Sequence, residues 1–284
     1  MGYFKARNRN KVRKHKQYLI LFLVIIFILL LSIFSMKHKI KEEYLNYLPF
    51  LYMGANFTSE EPSEIVGVFE EVNNTKPKAT KPIVYIYNTH QTEGYKYNKL
   101  QSFNIDYNVK FASYILQSYL EEYSIYSIVE ETSMSKTLKE NNLIYKQSYK
   151  GSRILLENSV KKNPTLKYFI DLHRDSSVYE KTTCQIDNVS YAKVMFLIGL
   201  EHDNYEENLE LATKLNNKVK AVNPCLSRGI YKKSGPGVDG IYNQDFNKNV
   251  MLIELGGQYN TIEEANNTLK ILAKILAEYI REDQ

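Results

Sequence analysis

At 284 residues the chain has room for an N-terminal extension and one well-buried domain of about 200 residues. Its formal net charge of +5 comes from the first 16 positions: without the seven basic residues there, 30 basic residues face 32 acidic ones, a net of −2. The body of the chain therefore carries no basic footprint for nucleic acid.

Those seven residues are Lys5, Arg7, Arg9, Lys11, Arg13, Lys14 and Lys16, and residues 1–17 are read as a cytoplasmic basic tail. Residues 18–36, Tyr18 to Met36, form an apolar run with only Ser32 and Ser35 as mild exceptions. As a helix that run spans roughly 28 Å, close to the hydrocarbon thickness of a bilayer. A cleavable signal peptide is the competing reading, but Ile33-Phe34-Ser35-Met36-Lys37 lacks an Ala-x-Ala cleavage pattern. An uncleaved signal anchor is expected, with everything after Met36 outside the cytoplasm at the cell membrane. Residues 37–80 are polar and interrupted by Pro49, Pro62 and Pro77, and read as a stalk.

Residues 81–284 carry the domain. Pro82 to Asn88 is β-branched and aromatic, a buried strand; Asp106 to Tyr123 has helical spacing; Ile125 to Val129 suits a second strand. Lys136 to Asn158 reads as a further helical stretch. Leu166 to Leu172 is a strand delivering His173, Ala192 to Gly199 another, and Tyr205 to Val222 a helix. Asn249 to Leu255 is the last strand. Thr261 to Arg281 closes the chain as an amphipathic helix, with Thr261 and Glu264 spaced as a capping box. Strands alternating with helices predict an α/β domain with a mainly parallel central sheet flanked by helices, its site at the carboxyl ends of strands. Cys184 and Cys225 lack the paired spacing of a structural zinc site; in an exported domain they could pair, spacing along the chain does not report whether their Cα atoms approach, and two ordinary cysteines are the preferred reading.

Three segments carry the chemistry. Thr89-His90-Gln91-Thr92-Glu93 and Asp171-Leu172-His173-Arg174-Asp175 each follow an apolar strand, and Glu254 interrupts an otherwise apolar one. Two histidines and a carboxylate are the set catalytic zinc favours, so His90 and His173 with a neighbouring carboxylate, Glu93 or another, make a candidate Zn2+ site. Glu254 is the expected general base, since burial raises a carboxylate pKa and a metal-activated water needs an acceptor; the bland alternative is a buried salt bridge to Arg228. Asp175 suits the role of hydrogen-bonding a ligand histidine, and Arg174 that of a substrate clamp or a structural ion pair. Arg174 or Arg228 can hold a substrate carboxylate, and Gly256-Gly257 would let backbone approach a substrate closely. His202, in a polar turn entering a helix, reads as an ordinary surface histidine.

Together with Leu226-Ser227-Arg228-Gly229-Ile230, Tyr242-Asn243-Gln244-Asp245 and Ile253-Glu254-Leu255-Gly256-Gly257-Gln258-Tyr259-Asn260-Thr261, these segments resemble the stage II sporulation protein P family over roughly residues 81–284. Gly94 stands where that family more often has serine. The resemblance implies a fold like that of zinc-dependent N-acetylmuramoyl-L-alanine amidases. It also implies a peptidoglycan hydrolase that cuts the amide between N-acetylmuramic acid and L-alanine, with endopeptidase activity on crosslinks. Such an enzyme acts in septal thinning and engulfment during sporulation, in the intermembrane space of the sporangium, beside a lytic transglycosylase and a membrane scaffold protein. By motif, His90, Glu93 and His173 would be the zinc ligands and Glu254 the catalytic glutamate. Two rivals remain open: a zinc carboxypeptidase-like wall peptidase, which the same ligand pattern describes, and a catalytically silent, membrane-anchored wall-binding scaffold.

Overall fold

The structure, a computed structural model, describes residues 81–96 and 107–284. The basic tail, the membrane anchor and the stalk expected over residues 1–80 lie outside the described residues. Among the described residues no helix is long and apolar enough to cross a membrane.

The chain enters on β1 (Val84–Tyr87), every residue of which is buried. It continues through α1 (Val109–Glu122), β2 (Ser127–Val129), α2 (Met134–Glu140), α3 (Ser148–Lys162) and β3 (Tyr168–Asp175). A one-turn helix α4 (Tyr179–Thr182) leads into a hairpin, β4 (Thr183–Ile186) and β5 (Val189–Ala192). Then follow β6 (Val194–Gly199), α5 (Tyr205–Val222), β7 (Ser227–Lys233), β8 (Val250–Gly257) and α6 (Ile262–Asp283). Six strands form one sheet in the order β2-β1-β3-β8-β6-β7. Four neighbouring pairs are parallel, and only β6 against β8 is antiparallel.

Side-chain alternation sorts the two faces. Tyr85, Tyr87, Phe169 and Val250 pack with Leu156 of α3 on one face. On the other, Tyr168 meets Tyr279 of α6 edge-on, and α6 packs against both α1 and α5. The central strands β1, β3 and β8 are covered on both sides, which is why they read as near-continuous apolar runs. The helix α6 starts as expected. Thr261 Oγ1 accepts from the Glu264 N–H (3.3 Å) and Glu264 Oε2 accepts from the Thr261 N–H (2.9 Å), closing the capping box.

Three expectations are corrected. The stretch expected to be helical over Lys136 to Asn158 is two helices, because Asn142 takes a left-handed conformation (φ 54°) that ends α2, and a 3-10 turn at Tyr145–Gln147 intervenes before α3. The two cysteines are bridged: Cys184 of β4 and Cys225, in the 3-10 turn before β7, have Cα atoms 5.7 Å apart and form a disulfide. The hairpin β4–β5 brings Cys184 there, turning at Asp187 and Asn188, both at positive φ as the tightest hairpin turns require. Finally, Gly256 and Gly257 serve the protein's own packing. A Cβ at Gly256 would stand 2.7 Å from Asn260 Oδ1 and 2.8 Å from Ala192 Cβ, and one at Gly257 would stand 2.9 Å from Thr182 Cγ2.

Candidate active site

Parallel pairing brings the three expected segments to one end of the sheet. Beyond Tyr87, whose register partner is Asp171, the chain turns through Asn88 and Thr89 to His90. Asn88 Nδ2 donates to the Leu172 carbonyl (2.6 Å) and to Ser113 Oγ (3.1 Å). The Thr89 N–H donates to Asp171 Oδ1 (2.9 Å) and Thr89 Oγ1 to Asp171 Oδ2 (2.7 Å). Thr89 Oγ1 also lies 2.8 Å from Ser152 Oγ on α3, which accepts from Asn243 Nδ2 (2.8 Å). The loop that carries His90 is thus bonded directly to the strand that carries His173.

On β3, His173 is the register partner of Glu254 on β8, so the two side chains leave adjacent strands on the same face. The rings of His90 and His173 meet edge to face with centroids 5.4 Å apart. Tyr149 of α3 lies 5.8 Å from His90 and 6.5 Å from His173, and Tyr145, largely exposed, sits 5.2 Å from His90. Glu93 reaches back to the same spot: its Oε2 accepts the Arg174 N–H (3.0 Å) and lies 3.3 Å from His173 Nδ1.

The charges at this site shape one another. Burial disfavours a charged His173, but the Asp171 and Glu93 carboxylates on either side outweigh it and raise the imidazole well above its usual range. Burial likewise opposes a charged Glu93, and His173 together with the Arg174 N–H overcomes it and holds the carboxyl below its ordinary value. His90 is lowered by burial first and by His173 second. Glu254 is pushed up to about 7 by burial, with Glu93 and Asp175 adding to the rise and His173 and Lys233 opposing it.

The other expected residues divide. Asp175 accepts from Arg228 (2.6 Å) and from Ser177 through both its N–H and its Oγ (3.0 Å each), so it faces Arg228 rather than a histidine. Asp171 is the aspartate beside His173, its Oδ1 2.9 Å from Nε2, an ion-pair contact whose angle falls short of a hydrogen bond. Because Arg228 belongs to Asp175, it does not neutralise Glu254, whose Oε2 is buried without a partner. Arg174 is a tether: its Nε donates to the Gly94 carbonyl (2.9 Å), tying the segment that carries Glu93 to β3. His202 stands apart, half-buried at the start of α5 against Tyr205, its pKa lowered by burial. Asp171, Thr89, Ser152, Asn243, Tyr145 and Tyr149 had no assigned role in the sequence. Only Asp171 carried a signal, as an acid inside an apolar strand.

The donor set suits zinc in its chemistry, two imidazoles and a carboxylate. Among the described residues, His90 Nδ1 and Glu254 Oε2 are buried without a hydrogen-bond partner, while His173 Nε2 lies against Asp171 Oδ1. Among the described residues, however, no three such side chains already converge as a metal-holding group. His173 stands between Glu93 and Asp171, its Nδ1 3.3 Å from Glu93 Oε2 and its Nε2 2.9 Å from Asp171 Oδ1.

The family described as "Stage II sporulation protein P (SpoIIP)" matches residues 40–277. The "Stage II sporulation protein P" of Bacillus subtilis (strain 168) is 34% identical over 211 residues, covering 71% of this chain and 53% of that protein. The chain thus spans about half the length of this curated relative. Among solved structures, the CwlD amidase from Clostridioides difficile, in complex with the GerS lipoprotein, overlaps 70% of this chain and 97% of its own at 15% identity and a TM-score of 0.45. A metallo-carboxypeptidase from Burkholderia cenocepacia overlaps 75% of this chain and 60% of its own at 10% identity and a TM-score of 0.41. Both likenesses are too distant to bear on the chemistry.

Proposed function

The chain belongs to the stage II sporulation protein P family, and from that membership and the strand-end site we propose that it is a zinc-dependent peptidoglycan hydrolase of sporulation. It cuts the amide between N-acetylmuramic acid and L-alanine, with endopeptidase activity on crosslinks. Residues 18–36 anchor it in the cell membrane, residues 37–80 form a stalk, and residues 81–284 work outside the cytoplasm in septal thinning and engulfment. A lytic transglycosylase and a membrane scaffold of the engulfment complex are its proposed partners.

One observation carries the chemistry: His90, Glu93, His173 and Glu254 gather where β1, β3 and β8 end, and Glu254 keeps a buried, unpartnered oxygen. In this reading His90, Glu93 and His173 hold the ion. When bound, the ion supplies Lewis acidity to the scissile carbonyl and to a water. Glu254 Oε2 takes a proton from the attacking water and returns it to the departing amine. A carboxyl pushed up to about 7 by burial is poised for that transfer, and a cation beside it would draw the value back down. Asp171 keeps the His173 ring in place, and Thr89 keeps Asp171 in place.

Two measurements on the purified protein test the reading together. Elemental analysis should find one zinc per chain, and digestion of purified sacculi should separate intact stem peptides from glycan. Release of single amino acids would instead identify a carboxypeptidase, and a folded protein with neither zinc nor cleavage a wall-binding scaffold. Glu254→Gln should keep its zinc and lose turnover by at least about 10²–10⁴-fold, because the amide retains the shape but accepts no proton. A variant that lost its metal would make Glu254 a ligand and Glu93 the base.

A further inference from the structure

The sheet continues past Glu254 toward β6 and β7 on the face that carries the site. Glu254 pairs with Met195, and Met195 pairs with Gly229. Alternation along β7 then puts Gly229, Tyr231 and Lys233 on that same face. The packing agrees: Leu252, two residues before Glu254, touches Leu197 and Tyr242, with Tyr149 against them. This shelf is open toward its edge. Among the described residues nothing lies within 4 Å of where a Cβ would stand at Gly229, and Tyr231 is 53% exposed.

Lys233 stands on the shelf without an acid. Its ammonium lies 5.5 Å from the centre of the Tyr231 ring and 6.0 Å from that of Tyr242. It pairs with no carboxylate among the described residues, and it is half-buried. Tyr242 in turn meets Tyr149 edge-on with centroids 5.1 Å apart, and Tyr149 lies 5.8 Å from His90, so the ammonium stands one ring pair away from the site. The two arginines that the sequence offered for a substrate's carboxylate are engaged, Arg228 by Asp175 and Arg174 by the Gly94 carbonyl.

We propose that Lys233, seated on Tyr231 and Tyr242, binds a carboxylate of the substrate peptide across the shelf from Glu254, an inference that rests on the hydrolase reading above. An ammonium partly withdrawn from water and held against two ring faces has lost solvation that an anionic group restores. Lys233 lies two strands over and four residues along from the row of Glu254, roughly 16 Å between Cα atoms, a gap that the two side chains and two to three residues of extended peptide span. The carboxylate so bound therefore belongs to the second or third residue beyond the scissile amide, and Lys233 selects acidic stems over amidated ones.

The test uses the full-length protein and two probes, a muramoyl tripeptide with free carboxylates on its second and third residues and the same tripeptide with both amidated. The wild type should favour the free acid by about tenfold in KM. Lys233→Met should raise KM for the free acid to that of the amide and leave kcat within about twofold, while Lys233→Arg should keep the preference. A Lys233→Met protein that retained the preference, or lost kcat equally on both probes at unchanged KM, would overturn the inference. If the wild type cleaves neither probe, the hydrolase reading falls separately, and calorimetric binding of the two tripeptides still decides the role of Lys233. A preference for the free acid that vanishes in Lys233→Met supports it, and equal binding of both tripeptides by the wild type refutes it.

Discussion

Asp171 and Asp175 flank His173 at equal distance in the sequence, and strand alternation aims both toward its face. Nothing in the sequence chooses between them. The fold does so through a register shift between His173 and Asp175 and through Arg228, which arrives from β7 to claim Asp175. The histidines were easier to read, because each follows an apolar strand whose end is the natural place for a site. If strand-end placement is what matters, His90→Ala and His173→Ala should each abolish both zinc and activity. His202→Ala should leave zinc content and turnover nearly intact, since its ring touches Tyr205 and none of the strand-end groups. Elemental analysis of the three variants separates these outcomes, and loss of zinc from the His202 variant alone would refute the ligand set.

At the scale of elements, β1, β3 and β8 were legible because each is buried on both faces, whereas β7, β4 and β5 were not. The segment Ser227–Lys233 has only Ile230 and Tyr231, side by side, among small and basic residues and lies at the sheet margin, so no apolar run betrays it. The hairpin hid for the same reason, and with it the disulfide, whose formation depends on a Cα separation that spacing along the chain cannot report. The bridge closes a separation of 41 residues, which in the chain-entropy account stabilises the fold by about 4 kcal/mol. Cys184→Ser with Cys225→Ser should lower unfolding free energy by about 2–4 kcal/mol in denaturant titration, with the site's zinc content retained. The α6 capping box was legible outright, because its two bonds depend on residues three apart. Thr261→Ala should cost about 1 kcal/mol, read as a fall of about 2–4 °C in Tm.

For the whole molecule, every proposed ligand and the base lie within residues 81–284, and among the described residues the sheet and its helices come from that range. A fragment starting at Lys81 should therefore fold by itself, bind one zinc and digest sacculi in solution, whereas the full chain should fractionate with membranes. A soluble, folded fragment with substoichiometric zinc after metal-replete purification would count against the domain division and the ligand set together.

The two margins of the sheet bear on how crowded such molecules can become. Among the described residues β2, one margin, is only three residues long. The other, β7, is bent by Gly229 at φ +84° and ends in Lys232 and Lys233. A short margin and a kinked, positively charged one both resist pairing with a second sheet, so neither offers a template for edge-to-edge aggregation. Many copies can then be concentrated on a narrow patch of surface without their sheets fusing into one another.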